Sequence, residues 1–593
     1  MIKLSDYVFE YLADYGIEDV FMLSGGGCMH LVNSLGKNKK ISYKCCLFEQ
    51  AVSLAAGSYA QYRNSLGVGL VTTGPGGTNA ITGVAAAWTD SIPLLIISGQ
   101  VKTSDISNGT VRTLGFQELD IVSVVKPITK YAVTVKKAED IRYELEKCIY
   151  YATNGRPGPV WLDIPLDIQA SLIEKETLNP YIPEPIEVEE SAYIDELMAL
   201  LKEAKRPVII AGYGIKTSGA SVDFRKMILK LNIPVLITWK AMDLLEDDCP
   251  LYFGRPGNIG QRCANFIQQN ADLVISLGAR LDFGQIGYDH KNFAPRAKKI
   301  IIDIDENELR KFKFDIDLPL NIDASRAIND ICDALQSEQL DYSDWIEHCQ
   351  ELKSRYPVKN PEYYCDKDGC STYLLMDVFN ELTDEKTVFA PGNSGACSEV
   401  FCQSYRVKKG QRIVTTNTLG SMGTGLPSAI GACVSSKNSV TVCVNGDGGF
   451  QMNIQDLETI HRLNLPIKFF VLNNGGYGSI RNSQDNYFDG FYVGAESSSG
   501  VTLPEIERIA YAYKIPYFKI SNNDEMYSVS KKVFDTEGPV LCEVMVSTDE
   551  RTLPRTKSVV MEDGKMRSMP FEDLYPFLDR EEFNSVMNQF KED

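Results

Sequence analysis

The sequence has no excess of positive charge and no apolar run long enough to cross a bilayer. Its 60 lysines and arginines are outnumbered by 79 aspartates and glutamates, which gives a formal net charge of −19. Such a chain lacks the broad basic surface that nucleic acids and anionic membranes attract. We therefore expect no nucleic-acid partner and no membrane association, although a local basic pocket for a diphosphate is compatible with this charge.

A disulfide framework is not indicated either. The 15 cysteines are odd in number and are scattered through apolar stretches, a pattern typical of reduced residues in a protein core. The N-terminal segment, MIKLSDYVFEYLADYG, predicts an acidic amphipathic helix rather than a basic segment followed by an apolar one. We expect a cytoplasmic protein.

A chain of 593 residues is too long for a single core. Short apolar strands alternate with helical patterns along it, which predicts an α/β fold made of doubly wound parallel sheets. We expect three such domains, at residues 1–173, 193–336 and 371–548, and a polar tail at 549–593. Stretches from Glu174 to Tyr193 and from Arg355 to Gly369 are predicted linkers. The strands predicted for the first two domains are Val20–Leu23, Gly67–Thr72, Leu94–Ile97, Val160–Ile164, Pro207–Tyr213, Val235–Thr238, Leu273–Leu277 and Lys299–Ile304.

The run from Ser439 to Asn474 predicts one complete strand, helix, strand unit. Its first strand ends at a glycine turn that holds Asp447, and its second strand ends at Asn473 and Asn474. A right-handed crossover brings the carboxyl ends of both strands to one edge of the sheet, so Asp447 and Asn474 should face a common crevice. Together with the carbonyl of Gly476 they are hard oxygen ligands, suited to Mg²⁺ on a diphosphate. The connecting helix should carry one apolar face made of Ile454, Leu457, Ile460 and Leu463.

The motif Gly446-Asp447-Gly448, followed after 24 residues by Asn473-Asn474, resembles the thiamine diphosphate signature of acetolactate synthase, pyruvate oxidase and the 2-oxo acid decarboxylases. The alternative is an ordinary glycine turn in a doubly wound sheet. The resemblance implies a diphosphate-binding third domain, with Asp447, Asn474 and Gly476 as Mg²⁺ ligands. It also implies cofactor contacts from Gly446, Gly448, Gly449 and Tyr477.

A second segment of this domain, LGSMGTGLP, is similar to the family segment whose large apolar side chain holds the cofactor in a bent form. Met422 matches that catalytic position, and Gly420 is a further candidate for cofactor contact. The alternative for Met422 is a core methionine.

The first domain resembles the pyrimidine-binding domain of the same enzymes. In its "EQA" segment Glu49 matches the glutamate that contacts the aminopyrimidine ring, whereas the generic interpretation is an acid at a helix N-terminus. Gln117 is a candidate active-site amide, and Lys130 is a weaker candidate. The glycine loops that follow two strands supply Gly26, Thr73 and Asn79 as cofactor contacts. Family members place this domain against the diphosphate domain of another subunit, so we expect a homodimer or homotetramer.

The middle domain carries Gly212, Gly214, the Gly278–Arg280 turn and Asp303, which resemble positions that hold FAD in acetolactate synthase and pyruvate oxidase. The loop Phe253–Gly257 departs from the flavin-contacting loop of the synthases. FAD, an ADP-like ligand and no ligand all remain open for this domain.

The resemblance implies decarboxylation of a small 2-oxo acid, with pyruvate as the expected donor, and carboligation to a ketone acceptor. Leu47 and Phe48 make the approach to Glu49 apolar, which favours carboligation over simple decarboxylation. Ser483 stands where synthases that accept 2-oxobutyrate carry tryptophan, so the acceptor pocket should differ. A keto sugar nucleotide acceptor in surface-polysaccharide synthesis, a simple decarboxylase and a non-catalytic scaffold are the alternatives.

Overall fold

The computed structural model of the protein describes residues 1–184, 193–336, 340–365, 368–393, 395–560 and 566–590. Residues 185–192 of the predicted linker lie outside this part of the chain, as do 561–565 and 591–593 of the predicted tail. Within the described residues, three wholly parallel sheets are flanked by helices. The predicted α/β fold with three parallel-sheet domains is confirmed.

The N-terminal domain contains a six-stranded sheet whose four interior strands correspond to the four predicted ones. The two edge strands were absent from the prediction, because they are partly exposed and carry no apolar run. Across the sheet the strands are Ser42–Cys45, Asp19–Met22, Gly67–Val71, Leu94–Gln100, Pro159–Pro165 and Tyr131–Thr134. The α-helices are Leu4–Tyr15, Met29–Lys37, Glu49–Arg63, Pro75–Thr89, Ile121–Val125, Ile141–Thr153 and Leu166–Ala170.

The middle domain contains a five-stranded sheet that adds one short edge strand to the four predicted strands. Across it the strands are Val235–Ile237, Pro207–Ala211, Leu273–Leu277, Lys298–Ile302 and Leu318–Leu320. The α-helices are Ile194–Glu203, Gly214–Thr217, Ser221–Leu231, Arg262–Asn270, Phe283–Ile286, Glu306–Arg310, Ala324–Ala334 and Ser343–Arg355. The last of these, and the C-terminal helix Arg580–Asn588, pack on the same core through Trp345, Leu352, Val586 and Met587.

The third domain contains a second six-stranded sheet. Across it the strands are Arg412–Ile413, Val388–Phe389, Thr441–Gly446, Ile467–Asn473, Val540–Met545 and Tyr517–Ile520. The α-helices are Thr372–Leu382, Ala396–Ser404, Gly425–Ser435, Asp447–Phe450, Leu457–Arg462, Gly478–Tyr487, Ile506–Ala512 and Met526–Asp535. Two short antiparallel pairs lie outside the main sheets, Ile2–Lys3 with Leu172–Ile173 and Ser558–Val560 with Met566–Ser568.

The prediction of one regular helix between the two strands of the central motif was wrong. A short helix, Asp447–Phe450, is followed by a 3₁₀ segment, Gln451–Asp456, and only then by the helix Leu457–Arg462. Asn453 interrupts the helical backbone with φ −134° and ψ 29°, and its side-chain amide donates to the carbonyl of Gly423 at 2.7 Å. Side-chain hydrogen bonding to a neighbouring segment therefore replaces regular helix at this point.

The first and third domains share one hydrophobic core. The helix Glu49–Arg63 packs along the helix Gly425–Ser435, and a β-carbon at Gly431 would lie 2.1 Å from the carbonyl oxygen of Ala55. Only glycine permits such a close approach of two helices. The amide of Gln61 forms hydrogen bonds of 2.9 and 2.7 Å with the backbone of Thr415, which joins the two domains further.

Candidate active site

Asp447 lies at the carboxyl end of a buried strand and is almost completely buried itself. One carboxylate oxygen accepts the backbone N–H of Gly448 at 2.7 Å, and the other accepts the N–H of Gly476 at 3.0 Å. Burial raises the pKa of this carboxyl, while the backbone donors oppose the rise. The site thus holds an acidic group whose charge is only partly compensated by the protein.

The two asparagines that end the neighbouring strand point to different partners. The amide of Asn473 donates to Glu543 at 2.6 Å, within the sheet. The side-chain oxygen of Asn474 is buried and accepts no hydrogen bond from the described residues. A buried oxygen without a donor, beside a buried carboxylate, is the arrangement that a hard cation satisfies. No cluster of three or more His, Cys, Asp or Glu suited to a metal occurs in the described chain, so a cation here would need amide and backbone oxygens.

A first cavity of about 1670 Å³ opens at this edge of the sheet. It brings together most of the predicted residues of the third domain, namely Met422, Gly446, Asp447, Gly448, Gly449, Asn474, Gly476 and Tyr477. Gly448 lies against the ring of Tyr477, where an added β-carbon would come within 2.2 Å. Gly476 has φ +149° and would meet the carbonyl of Ala495 at 2.3 Å. These glycines leave no room for side chains at the turn.

The side chain of Asn393 holds the loop that carries Met422 through hydrogen bonds. The amide of Asn393 donates to the carbonyl of Ser421 at 3.2 Å and to the hydroxyl of Thr424 at 2.9 Å. Met422 is half-buried and lines the first cavity, whereas Gly420 lines a second cavity. Met422 therefore presents an apolar side chain to the space beside Asp447.

The predicted residues of the first domain lie close together in a second group. Glu49 begins its helix and is buried, and its Oε2 accepts a hydrogen bond from Asn79 at 3.0 Å. Thr73 is buried, and its hydroxyl has no hydrogen-bond partner among the described residues; it lies 1.9 Å from where a β-carbon on Gly27 would stand. Gly26 belongs to the same glycine loop.

Gln117 approaches this group through a close backbone contact. It adopts φ +64°, and its carbonyl oxygen would lie 2.4 Å from a β-carbon on Gly74. Lys130 is directed elsewhere, because its ammonium donates to the carbonyl of Asn154 at 2.7 Å and burial lowers its pKa to about 8. The structure thus gathers Gln117 but not Lys130 with the loops around Glu49.

The two groups of residues face different spaces within one chain. The backbone N–H of Leu47 donates to Asp456 at 2.9 Å, and Gln50 accepts from Asn453 at 3.0 Å, so segments on both sides of Glu49 contact the segment after Asp447. Glu49, Thr73, Asn79 and Gln117 nevertheless line neither of the two cavities.

The second cavity, of about 890 Å³, lies where the three domains meet. It is lined by Gly214, Gly278, Arg280 and Asp303 among the residues singled out in the middle domain. Gly212 serves packing instead, since its added β-carbon would lie 2.1 Å from the carbonyl oxygen of Gly278. Burial raises the pKa of Asp303.

The loop Phe253–Gly257 turns its basic residue away from this cavity. Arg255 is 1% exposed and donates to the carbonyl of Tyr405 at 2.6 Å and to the hydroxyl of Tyr252 at 2.7 Å. Pro256, Gly257, Asn258 and Ile259 form the cavity wall instead. Arg255, in the loop that departs from the synthase pattern, therefore links the middle domain to the third domain through its bond to Tyr405.

The predicted polar tail contributes to the first cavity, but the sequence did not identify which of its residues do so. The stretch from Arg551 to Ser558 lines it. Hydrogen bonds hold this stretch in place. Leu553 donates to the hydroxyl of Tyr373 at 2.8 Å, Thr556 donates to the carbonyl of Asn258 at 2.8 Å, and Arg555 pairs with Tyr575 through two backbone bonds. No motif or spacing in the sequence marks Arg551, Arg555 or Lys557 as part of a site.

Comparison with known proteins adds three matches along the chain. Residues 2–124, 194–331 and 393–544 match the N-terminal TPP binding domain, the central domain and the C-terminal TPP binding domain of thiamine pyrophosphate enzymes. No helix in the described chain is both long and apolar enough to span a membrane.

Several curated relatives are similar over nearly the whole chain. Acetolactate synthase 1, chloroplastic, of Nicotiana tabacum is 32% identical over 94% of this chain and 83% of its own length. The acetolactate synthase large subunit of Lactococcus lactis is 32% identical over 93% of each chain. The large subunit of Cyanidium caldarium is 30% identical over 92% of this chain and 94% of its own.

Proposed function

The chain belongs to the thiamine pyrophosphate enzyme family, and from this premise we propose that it decarboxylates pyruvate and joins the acyl fragment to a ketone acceptor. It is a thiamine diphosphate-dependent enzyme of the transferase or lyase type, similar to the acetolactate synthases. The choice of pyruvate, the Mg²⁺ requirement and the roles of individual residues are the proposed part. We propose residues 1–173 as the pyrimidine-binding domain, 193–336 as the central domain, 371–548 as the diphosphate-binding domain and 549–593 as the tail.

The observation that carries the proposal is the pairing of buried Asp447 with the unpartnered oxygen of Asn474 at the first cavity. In our proposal these two groups and the Gly476 carbonyl hold Mg²⁺ on the cofactor diphosphate. The glycines of the turn leave their backbone exposed to that diphosphate. Met422 then supports the cofactor from the apolar side of the same cavity.

When bound, thiamine diphosphate supplies the nucleophilic carbon and the electron sink that decarboxylation of a 2-oxo acid requires. Glu49 is proposed to hydrogen-bond the aminopyrimidine ring and to hold a proton there. Asn79 donates to Oε2 of Glu49, so Oε1 would be the oxygen available to a bound ring. The backbone around Gly26, Thr73 and Gln117 would then enclose this end of the site.

A complete site requires a second copy of the chain in this proposal, since Glu49 and Asp447 face different spaces in one copy. Exposed apolar side chains on both halves support self-association. Val111, Leu114 and Phe116 are exposed beside Gln117, and Phe488 and Phe491 are exposed near the first cavity. We propose a homodimer, or a homotetramer built from it, with Glu49 of one copy facing Asp447 of the other.

Carboligation is favoured over release of a protonated product. Among the described residues that line the first cavity there is no histidine, so this wall offers no imidazole for protonation. Ser483 lines the cavity and is small, which leaves room for an acceptor larger than a second pyruvate. A keto sugar nucleotide is therefore the second candidate acceptor.

The second cavity is proposed to hold FAD or another ligand that contains ADP. Gly214 and Gly278 present backbone at its wall, and Arg280 supplies a cation. Flavin released by heating the purified protein would be detected by its absorbance and fluorescence, and its absence would leave an ADP-like ligand for mass spectrometry to identify.

The proposal is tested by product analysis. The purified protein is incubated with thiamine diphosphate, Mg²⁺ and ¹³C-labelled pyruvate, with and without a keto sugar nucleotide, and the products are resolved by mass. Acetolactate, or an acetyl-branched sugar, is the expected product. Acetaldehyde alone would make the protein a decarboxylase, and no consumption of pyruvate in any mixture would refute the donor assignment.

A further inference from the structure

Three cationic side chains of the tail line the first cavity without a carboxylate partner. Arg551, Arg555 and Lys557 are exposed to it, and none forms an ion pair or a side-chain hydrogen bond within the described chain. Lys557 instead places its ammonium 4.4 Å from the ring centre of Tyr575. Three cations without an ion-pair partner among the described residues, all at one cavity, are notable in a chain with a net charge of −19.

Five carboxylates line the same cavity, and each accepts a hydrogen bond from a neutral donor; that of Asp289 accepts the backbone N–H of Lys291 at 3.3 Å. Glu399 accepts from the hydroxyl of Thr552 at 2.8 Å, and Asp485 accepts from that of Tyr492 at 2.7 Å. Glu550 accepts the backbone N–H of Thr372 at 2.7 Å, and Asp447 accepts two backbone N–H groups. None of these carboxylates forms an ion pair with the three cations within the described chain. The carboxylates keep their negative charge, but the guanidinium and ammonium donors remain available for charge-assisted hydrogen bonds to an anionic ligand.

The backbone that carries these cations is anchored on the middle and third domains. Tyr373 and Asn258 hold residues 553 and 556, and Pro554 accepts the amide of Gln403 at 2.7 Å. Arg555 and Lys557 are two positions apart, and both line the first cavity. A backbone that is held in place, with long cationic side chains extending from it, is suited to binding a phosphate at a defined distance from the reacting end of a ligand.

The volume of the first cavity also supports a ligand site beside the tail cations. At about 1670 Å³ it exceeds the range of about 300–1,000 Å³ typical of pockets for a single small molecule. Room therefore remains beyond the diphosphate end of the cofactor at Asp447.

We propose that Arg551, Arg555 and Lys557 form a recognition site for a phosphate or diphosphate group on the ketone acceptor. This inference rests on the proposed carboligase function and names the class of acceptor, a phosphorylated ketone. A sugar phosphate and a sugar linked to a nucleoside diphosphate share this chemistry. The attacked carbonyl lies at the end of the acceptor away from the phosphate.

The test is titration calorimetry on protein loaded with thiamine diphosphate and Mg²⁺. The probes are fructose 6-phosphate, uridine 5′-diphosphate and oxamate, an unreactive analogue of pyruvate. We expect one of the two phosphorylated probes to bind, and the double variant R551Q/K557Q to lower its affinity at least about tenfold. Binding of fructose 6-phosphate alone identifies a sugar phosphate acceptor, and binding of the nucleotide alone identifies a nucleoside diphosphate.

The matched control is R280Q, because Arg280 lines only the second cavity and Arg551 and Lys557 line only the first. Equal loss of probe affinity in R280Q would place the probe in the second cavity and overturn the proposal. Equal loss of thiamine diphosphate affinity in R551Q/K557Q would assign the cations to the cofactor, and loss confined to oxamate would assign them to the donor carboxylate. Either result overturns the proposal. Failure of both phosphorylated probes to bind overturns it as well.

Failure of the proposed function is recognised separately. Wild-type protein that consumes no pyruvate refutes the carboligase function, whereas wild-type protein that consumes pyruvate but binds neither phosphorylated probe refutes only the acceptor class. Thermal unfolding of each variant confirms that lost binding is not lost folding. Exposed side chains without partners are expected to change the melting temperature little when they are replaced.

Discussion

The amide of Gly476 donates to Oδ2 of Asp447 at 3.0 Å, across 29 positions of sequence. This bond closes the turn after one strand onto the turn after its neighbour, so both strand ends move as one unit. The carboxylate is thereby held beside Asn474, whose side-chain oxygen has no protein donor in the described chain. The predicted metal ligands are preorganised before any ligand arrives.

Replacement of Asp447 by alanine should abolish this arrangement. We expect affinity for thiamine diphosphate at saturating Mg²⁺ to fall more than about 100-fold, or about 2.7 kcal/mol. Titration calorimetry measures the change. Retention of wild-type affinity would show that the cofactor is held without a cation at Asp447.

The two adjacent asparagines provide a matched pair. Asn474→Ala should weaken Mg²⁺-dependent cofactor binding about 10- to 100-fold, because it removes an oxygen that faces the cavity. Asn473→Ala should leave cofactor binding nearly unchanged but reduce the free energy of unfolding by about 1–3 kcal/mol, because Glu543 loses a buried donor. Calorimetry and urea unfolding on both variants separate the roles, and identical behaviour would contradict the assignment.

Glu49→Gln should retain the cofactor and lose turnover. Glutamine keeps the size of the side chain and its contact with Asn79 but cannot hold the ring proton, so kcat should fall about 10²- to 10⁴-fold. Steady-state kinetics with pyruvate, at saturating thiamine diphosphate, make the measurement. Undiminished turnover would refute the proposed role of Glu49.

Phe116→Asp should disrupt self-association. The ring is 89% exposed in a single chain, and a carboxylate buried at an interface would carry an uncompensated charge. Sedimentation should show a shift towards monomer together with a loss of turnover. Phe577→Asp, on an exposed part of the tail outside both cavities, is the control and should keep the wild-type assembly. An active monomer would show that one chain holds a complete site.

Asp163 should make stability depend on pH. It is fully buried between Ser98, Thr134 and Gln100, and burial raises its pKa to about 7. The folded state therefore binds this proton more tightly than the unfolded state. The resulting contribution to the free energy of unfolding is fully present below about pH 4 and is lost as pH rises through 7.

The measurement for Asp163 is urea unfolding of wild type and Asp163→Asn between pH 5 and 8. The stability of wild type relative to the variant should fall as the pH rises across this range, by an amount on the order of a few kcal/mol. A difference that stays constant with pH would mean that Asp163 keeps one protonation state throughout.

The buried strands of the first two sheets could be read from the sequence, because a strand covered on both faces needs an unbroken apolar run. The strands Ser42–Cys45 and Tyr131–Thr134 could not, since edge strands are partly exposed and carry polar residues. The broken helix after Asp447 also escaped prediction. Its interruption depends on hydrogen bonds of Asn453 to Gly423 and Gln50, which are distant in sequence.

The candidate site also contains some residues that could be predicted from the sequence and others that could not. Asp447 and Asn474 were predicted to lie together because strand order and crossover handedness fix where strand ends meet. The roles of Arg255 and of the tail cations depend on packing between domains, which no local pattern encodes. The guanidinium of Arg255, for example, donates to backbone carbonyls of the third domain that lie about 150 positions away in the sequence.

The core shared by the helices Glu49–Arg63 and Gly425–Ser435 has a consequence for how the chain unfolds. The first and third domains share one hydrophobic cluster in addition to a cluster of their own each, whereas most buried residues of the middle domain form a cluster that neither of those two domains enters. Amide hydrogens of Ala55 and Ala429 should therefore exchange through the same opening event, while those of Ile209 and Ile275 can exchange through another. The residues on either side of the proposed cofactor belong to one cooperative folding unit, although nearly 400 positions separate Glu49 from Asp447.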